Sequence, residues 1–311
     1  MSPVEVVVIT YCYNQWIPHA LAGIAAQSLQ PCRVLVSDDC SPPPHSQQFL
    51  ELAPQFPWAT FAQTPANLGA VEHMRLRASG ITAPYYLLVS ADDLLVDPEF
   101  LRDAVAILEE HPSVVAVSGQ FHQIDEHGRL RAAAPVLASE PYTLVPGAQM
   151  RATLALENVV PAVCTVIRTA VHQKVPPFPI DNPLTHDWLQ WYLLAGQGDF
   201  ARINRPVMHY RIHSSSLSQS AQRGRRTAQQ GDDGYASLLQ RPELTAEERA
   251  LLQIGRVRWQ LRHALARELW RPLVRSPLRK ATWSALAETL AERGHFAAGR
   301  LHGKLRPKLG D

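Results

Sequence analysis

Short apolar runs alternate with amphipathic segments over the first 125 residues, and this alternation constrains the fold more than any other feature. The runs EVVVIT, RVLVSDD and PYYLLVS predict buried strands, and the segments between them carry apolar residues at helical spacing. Strands that alternate with helices form a parallel sheet covered by helices. The sequence therefore predicts an α/β fold with a mostly parallel, Rossmann-like sheet.

Polar residues cluster where the first four predicted strands end. The clusters read TYCYN, SDDCS, TPANLG and SADD. Right-handed crossovers return every parallel strand in the same direction, so the four strand ends are expected at one edge of the sheet. Ligands bind at this carboxyl edge in open α/β sheets. The sequence therefore predicts a ligand site there.

Two adjacent carboxylates, Asp92 and Asp93, follow the fourth predicted strand directly. Two like charges beside an apolar strand cost free energy unless a cation, a proton or water relieves their repulsion. Oxygen ligands without a neighbouring histidine or thiolate suit Mg²⁺ or Mn²⁺ bridged to phosphate oxygens better than zinc. For an isolated pair, the equally good alternative is that one carboxylate caps the next helix and the other is solvated.

A second pair, Asp38 and Asp39, ends the second predicted strand. A carboxylate there can accept a hydrogen bond from a base N–H or a ribose hydroxyl, although the pair also suits an Asx turn. Asn67 and Gly69 suit a turn as well, and the glycine permits close approach of the backbone to a ligand. The four clusters together therefore carry more weight than any one of them.

Six motifs, in order, resemble those of the family 2 glycosyltransferases of GT-A fold, in the nucleotide-diphospho-sugar transferase superfamily. They are VVVITYCYNQ, VLVSDDCS, ANLGA, LLVSADDLL, HDWLQW and YRIHSSSLS, within residues 4–218. Members of this family transfer a sugar from a nucleotide donor with inversion at the anomeric carbon. The resemblance implies a transferase that uses a UDP- or dTDP-sugar, in surface polysaccharide or glycoconjugate synthesis of bacterial type.

The resemblance also implies a role for individual residues. The residues that match the donor-binding positions of the family are Tyr11, Tyr13, Asp39, Asn67, Gly69, Arg75 and Asp92. Asp93 and His213 match positions that contact a Mn²⁺ or Mg²⁺ ion or the diphosphate bound to it. Asp187 matches the general base on the acceptor hydroxyl, although an aspartate is also favoured at a helix N-terminus by the macrodipole alone.

Two other classes of function compete with this interpretation. A sugar nucleotidyltransferase usually has a glycine-rich, basic loop after its first strand, and TYCYNQWIP contains neither glycine nor lysine. A non-catalytic, glycosyltransferase-like module would bind glycans or assemble other enzymes. The intact set of Asp39, Asp92, Asp93 and Asp187 argues against that module.

The chain is predicted to have three parts. Residues 1–218 form the GT-A domain, with a donor half at about 1–125 and an acceptor half at about 126–218. Residues 219–234 are polar and contain glycine, which predicts a linker or mobile loop. Residues 235–311 are predicted to form a basic helical C-terminal region.

The net charge of +2 conceals an acidic body and a basic tail. Residues 1–239 carry 15 Lys and Arg against 21 Asp and Glu, whereas residues 240–311 carry 15 against 7. The basic helices could pack on the catalytic domain, or could lie on an anionic membrane near a lipid-linked acceptor. An acidic body without a reading motif argues against a nucleic-acid partner.

The expected location is the cytoplasm, with the basic tail as a candidate peripheral contact to the inner face of the membrane. No apolar stretch approaches the roughly 18 residues of a membrane span, and no basic leader precedes the first strand. The expected partners are a nucleotide-sugar donor and an acceptor that is a glycan, a lipid-linked molecule or a protein.

Overall fold

The computed structural model describes residues 2–134, 138–176, 182, 185–216 and 223–263. The chain divides into two units. The first unit comprises Met1–Leu154 and Asn158–Ser220, and the second comprises Ala155–Glu157 and Ala221–Asp311. No described helix is long and apolar enough to cross a membrane.

One mixed sheet forms the centre of the first unit. Its described strands are β1 (Val4–Thr10), β2 (Arg33–Asp38), β3 (Thr60–Gln63), β4 (Tyr85–Ser90), β5 (Leu94–Leu95), β6 (Val114–Asp125), β7 (Leu130–Ala132), β8 (Tyr142–Val145), β9 (Thr165–Arg168) and β10 (Asp199–Ile212). The strand order is β3-β2-β1-β4-β9-β6-β10-β5, with β7 paired to β6 and β8 to β10. The four strands from β1 to β4 are parallel to one another, which confirms the predicted parallel half of the sheet.

Helices cover this sheet. Those of the first unit are α1 (Ile17–Ala25), α2 (His45–Leu52), α3 (Ala70–Ser79), α4 (Phe100–Glu110), α5 (Gly147–Leu154), α6 (Thr169–His172) and α7 (His186–Leu194). Val6 and Val8 of β1 are fully buried in one core cluster with Ile17 and Leu21 of α1. Val7, on the opposite face of β1, is fully buried as well. Burial on both faces explains why β1 is an uninterrupted apolar run rather than an alternating one.

The second unit contains α8 (Arg223–Leu239) and α9 (Ala246–His263). A capping box begins α9, since Thr245 N–H donates to Glu248 Oε2 (2.8 Å) and Glu248 N–H donates to Thr245 Oγ1 (3.1 Å). The part of the predicted basic helical region that follows residue 263 lies outside the described residues. The assignment of donor and acceptor halves within the first unit stays a prediction.

Helix α8 corrects the prediction of a linker or mobile loop for residues 223–234, which are helical. A Cβ on Gly231 would lie only 1.9 Å from Trp259 Cε2, so glycine at this position lets the two helices approach closely. Asp232 then accepts hydrogen bonds from Arg256 Nη2 (2.6 Å) and Gln260 Nε2 (2.6 Å) of α9. The glycine and polar residues that suggested flexibility therefore serve helix–helix packing.

Candidate active site

The four polar clusters lie at one edge of the sheet, as predicted, because they follow four neighbouring parallel strands. Backbone hydrogen bonds continue the strand pairing into the loops. Asp39 N–H donates to Thr10 O (3.0 Å), and Ala91 N–H donates to Ile9 O (2.9 Å). The loops after β1, β2 and β4 are therefore held beside one another at this edge.

The loops after β1 and β2 turn sharply. Cys12 and Cys40 both adopt left-handed backbone conformations, with φ values of 62° and 55°. Such conformations cost roughly 1–3 kcal/mol each for residues other than glycine. Cys12 N–H donates to Ser41 Oγ (2.8 Å), which joins the two loops and helps to hold them in this conformation.

Asp38 builds one of these turns. It is fully buried, and its carboxylate accepts hydrogen bonds from Ser41 N–H (2.9 Å), Ser41 Oγ (2.5 Å) and Gln63 Nε2 (3.0 Å). The backbone N–H that Asp38 accepts belongs to Ser41, three residues later, whereas an Asx turn uses the N–H two residues later, so Asp38 holds the loop after β2 by a related local contact.

Asp39 organises the loop between β3 and α3. Its Oδ1 accepts hydrogen bonds from Leu68 N–H (3.0 Å) and Thr64 Oγ1 (3.1 Å), and its Oδ2 accepts one from Gly69 N–H (2.8 Å). Asn67 Nδ2 donates to the Asp39 carbonyl (3.1 Å). The structure thus brings together three of the predicted donor-binding residues, Asp39, Asn67 and Gly69. Contact of these residues with a nucleotide stays a prediction.

Gly69→Ala is expected to lower the free energy of unfolding by roughly 1–3 kcal/mol, since φ 78° and ψ 158° at this position belong to a region that only glycine adopts readily. Nothing lies within 4 Å of a Cβ built there, so the cost is backbone strain rather than overlap. Gly80→Ala is the control at the other end of α3, where φ is −87° and ψ is 0°. Urea denaturation of both variants is the measurement. Equal stability of the two variants would contradict the assignment of strain to Gly69.

Asp92 forms a hydrogen-bonded pair with His213 across the carboxyl edge. His213 Nε2 lies 2.9 Å from Asp92 Oδ2, and His213 Nδ1 lies 3.0 Å from Ser215 Oγ. Ser90 Oγ donates to the other oxygen of Asp92. Both Asp92 and His213 are buried, so this pair is fixed in place by the protein.

The two carboxylate oxygens of Asp93 differ in their contacts. Oδ1 accepts a hydrogen bond from Arg211 N–H (2.9 Å), whereas Oδ2 is buried and has no hydrogen-bond partner among the described residues. Burial, and then the charge of Asp92, raise the pKa of Asp93 well above its usual range. A buried carboxylate oxygen without a partner carries an energetic cost that a ligand at this position would relieve.

A divalent cation fits this unpartnered oxygen. The described residues contain no group of three or more His, Cys, Asp and Glu side chains that could hold a metal ion by themselves. Mg²⁺ is commonly bound by one or two carboxylates together with substrate phosphates and water, and such a site needs no larger group of side chains. Asp93, together with Asp92, could therefore hold the ion that the sequence predicts.

Aromatic rings enclose His213. The Tyr13 ring meets the imidazole edge-on at 5.0 Å between centroids, and the Trp16 ring lies 4.4 Å from it. Tyr13 Oη donates to Ser215 O (2.9 Å). Burial and the charge of Asp92 raise the pKa of Tyr13 to about 12, so the phenol stays a donor at neutral pH. The loop after β1 therefore fixes the segment that carries His213.

Two residues of this arrangement were not among the predicted site residues. Trp16 packs on His213, and the only signal in the sequence is the aromatic spacing of YCYNQW. The Arg211 guanidinium lies 5.4 Å from the Trp16 ring centroid and donates through Nε to Asp92 O (2.9 Å). Arg211 thus contacts both aspartates, one through its backbone and the other through its side chain.

The remaining predicted donor-binding residues are Tyr11 and Arg75. Tyr11 is 45% exposed at the end of β1, where its ring is accessible to a ligand. Arg75 forms an ion pair with Glu72 one turn earlier in α3. A role in donor binding stays a prediction for both Tyr11 and Arg75.

Asp187 lies in the first turn of α7. Its Oδ1 accepts a hydrogen bond from Trp188 N–H (2.7 Å), and its Oδ2 accepts one from Asn158 Nδ2 (3.2 Å). Among the described residues, no hydrogen bond links Asp187 to Asp92 or Asp93. Its role as a base therefore stays a prediction.

The sheet, with its parallel half from β1 to β4, and the helices that cover it form an α/β fold of the GT-A type. The sequence profile of glycosyl transferase family 2 matches residues 5–175, which is more than half of the chain, and the chain belongs to this family. The family predicted from the motifs is thereby confirmed. No curated protein matches the chain in sequence.

Two solved structures illustrate the shared fold. S. aureus TarS 1–349 in complex with UDP-GlcNAc superimposes with a TM-score of 0.65 at 18% identity, covering 92% of this chain and 80% of the TarS chain. The mannosyltransferase PcManGT from Pyrobaculum calidifontis, in complex with GDP-Man and Mn²⁺, superimposes with a TM-score of 0.60 at 18% identity. That superposition covers 98% of this chain and 81% of the mannosyltransferase. At this level of identity the likeness establishes the fold.

Proposed function

We propose that this glycosyltransferase moves a sugar from UDP or dTDP to an acceptor hydroxyl, with a divalent cation and with inversion at the anomeric carbon. The observation that carries the proposal is the buried oxygen of Asp93, which lacks a partner beside a second carboxylate. Complexes of similar structures with UDP-GlcNAc and with GDP-Man and Mn²⁺ support a nucleotide-sugar donor and a cation.

The donor would lie along the carboxyl edge of the sheet. Asp92 and Asp93 would hold the cation, which when bound would neutralise charge on the departing diphosphate. The nucleoside would lie beside the loops after β1 and β2, near the exposed ring of Tyr11 and the loop that Asp39 organises. His213 would contact the ion or the diphosphate.

Transfer would be a single in-line displacement. Asp187 accepts the proton of the acceptor hydroxyl as that oxygen forms a bond to the anomeric carbon. The bond between the anomeric carbon and the diphosphate oxygen breaks, and its electron pair leaves with the nucleoside diphosphate. Because the attack and the departure occur on opposite faces of the sugar, the configuration inverts.

A thermal-shift panel tests the donor assignment. UDP-, dTDP- and GDP-sugars are each added with Mn²⁺ or with EDTA, and a ligand at about 100 times its Kd should stabilise the protein by roughly 2.7 kcal/mol. We expect stabilisation by UDP- or dTDP-sugars that requires Mn²⁺. Stabilisation by GDP-sugars alone would overturn the nucleotide assignment, and no stabilisation by any donor would overturn the function.

Hydrolysis of the bound donor separates an enzyme from a binding module. Glycosyltransferases can transfer the sugar slowly to water when no acceptor is present, whereas a non-catalytic module leaves the donor intact. We expect Mn²⁺-dependent release of the nucleoside diphosphate. Binding of the donor without any release of nucleoside diphosphate, in the presence or absence of candidate acceptors, would favour the non-catalytic module.

Synthesis of a surface polysaccharide or glycoconjugate is our proposal for the pathway, and the acceptor would be a glycan, a lipid-linked molecule or a protein.

A further inference from the structure

We propose that Asn158 is a positioning residue that orients the carboxylate of Asp187 for proton transfer. Asn158 Nδ2 donates to Asp187 Oδ2 at 3.2 Å, and Asn158 Oδ1 accepts a hydrogen bond from Val160 N–H at 3.3 Å. The inference rests on the proposed role of Asp187 as the general base. It adds a residue that acts on the reaction only through Asp187.

The two hydrogen bonds fix the direction of the Asn158 amide. If the amide were reversed, its oxygen would face the Asp187 carboxylate and its NH₂ group would face the Val160 N–H, so both contacts would become repulsive. The amide therefore presents a donor to Asp187. Alanine lacks that donor, and aspartate would replace it with a second carboxylate.

Buried residues precede and follow Asn158 in the sequence, and one of them, Leu154, bonds to α7. Leu154, which is fully buried, accepts a hydrogen bond on its carbonyl from Trp188 Nε1 (2.7 Å). Val160 is buried as well, at 3% exposure. Asn158 lies exposed between these residues, beside the first turn of α7. The exposure of Asn158 beside Asp187 suits a base that must meet an acceptor from solvent.

The hydrogen bonds leave the carboxylate able to react. Oδ1 of Asp187 accepts a hydrogen bond from Trp188 N–H and Oδ2 accepts one from Asn158 Nδ2, so among the described residues each oxygen uses one of its two acceptor positions. A second position on each oxygen remains for a hydroxyl proton. The donors from Trp188 and Asn158 therefore fix the plane of the carboxylate and leave acceptor positions on its oxygens available.

Kinetics of Asn158→Ala test the proposal. We expect kcat to fall roughly 10- to 100-fold, the range for loss of a hydrogen bond to a charged group, with donor KM unchanged. In Asn158→Asp, the acid limb of the pH profile of kcat should move to higher pH, because a second carboxylate nearby raises the pKa of Asp187. Asn204→Ala is the matched control, since Asn204 Nδ2 bonds to Glu140 O and Thr143 Oγ1 instead.

A double-mutant cycle separates positioning from other roles. If Asn158 acts through Asp187, adding Asn158→Ala to Asp187→Asn should lower kcat no further. Fully additive effects of the two substitutions on kcat would overturn the proposal. Wild-type kcat in Asn158→Ala, together with an unchanged pH profile of kcat in Asn158→Asp, would overturn it as well. Wild-type activity of Asp187→Asn would instead show that Asp187 is not the general base. That outcome would be a failure of the proposed mechanism rather than of the role of Asn158 alone.

Discussion

Asp93→Asn is expected to abolish cation-dependent binding of the donor nucleotide while the protein stays folded. The amide oxygen can still accept the Arg211 N–H that now bonds to Asp93 Oδ1. Burial already raises the pKa of Asp93, so the protein without a cation favours a neutral side chain there, which an amide resembles. The amide nevertheless removes the negative charge that a divalent cation requires.

Calorimetric titration with UDP and dTDP, with Mn²⁺ or with EDTA, measures this effect. Asp103→Asn is the control, because Asp103 lies on α4, where its carboxylate bonds to Arg205 of β10, and it is not part of the carboxyl edge. We expect the control to bind as the wild type does. Wild-type, Mn²⁺-dependent affinity in Asp93→Asn would remove Asp93 from the cation site.

Asp187→Asn is expected to lower sugar transfer by roughly 10² to 10⁴, the usual contribution of a positioned general base. An amide cannot accept the proton of the acceptor hydroxyl. Donor affinity should stay unchanged, since the nucleotide is assigned to the loops after β1 and β2 and to the aspartates after β4. Transfer rate and donor Kd measured on the same preparation check both parts.

A structural role for Asp187 predicts a different result. Its Oδ1 accepts the Trp188 N–H in the first turn of α7, and an asparagine oxygen can accept the same hydrogen bond. If this contact were the reason for the aspartate, the substitution would change neither stability nor transfer by much. Full activity of Asp187→Asn would therefore support the structural role and exclude the base.

The parallel half of the sheet could be predicted because its signal is local. Each strand from β1 to β4 is a short apolar run that ends in polar residues, and the rules of crossover handedness then place those ends together. Helix α8 could not be predicted in the same way. Whether Gly231 is a flexible residue or a contact point depends on Trp259, which lies 28 positions later in the sequence.

The candidate site was predictable in its residue types and less so in its contacts. The motifs identify Asp92, Asp93 and His213, but the bond between Asp92 and His213 joins residues 121 positions apart. For Asp39 the motif predicts a ligand contact, and the structure shows a carboxylate bonded to the backbone of a neighbouring loop. Asn158 could not be predicted, because the sequence does not indicate which partner an exposed asparagine in a loop bonds to.

Strand β10 has a consequence for the order in which the protein can fold. Leu94 and Leu95, which follow the aspartates, pair with His209 and Met208, while Arg211 and His213 contact the aspartates themselves. A nascent chain that ends before β10 lacks these partners, even when β1 to β4 have formed. Because contacts so distant in sequence carry a large loop-closure entropy, they are slow to form. The carboxyl edge is therefore completed late, and a nucleotide that binds there as proposed would report that β10 has paired.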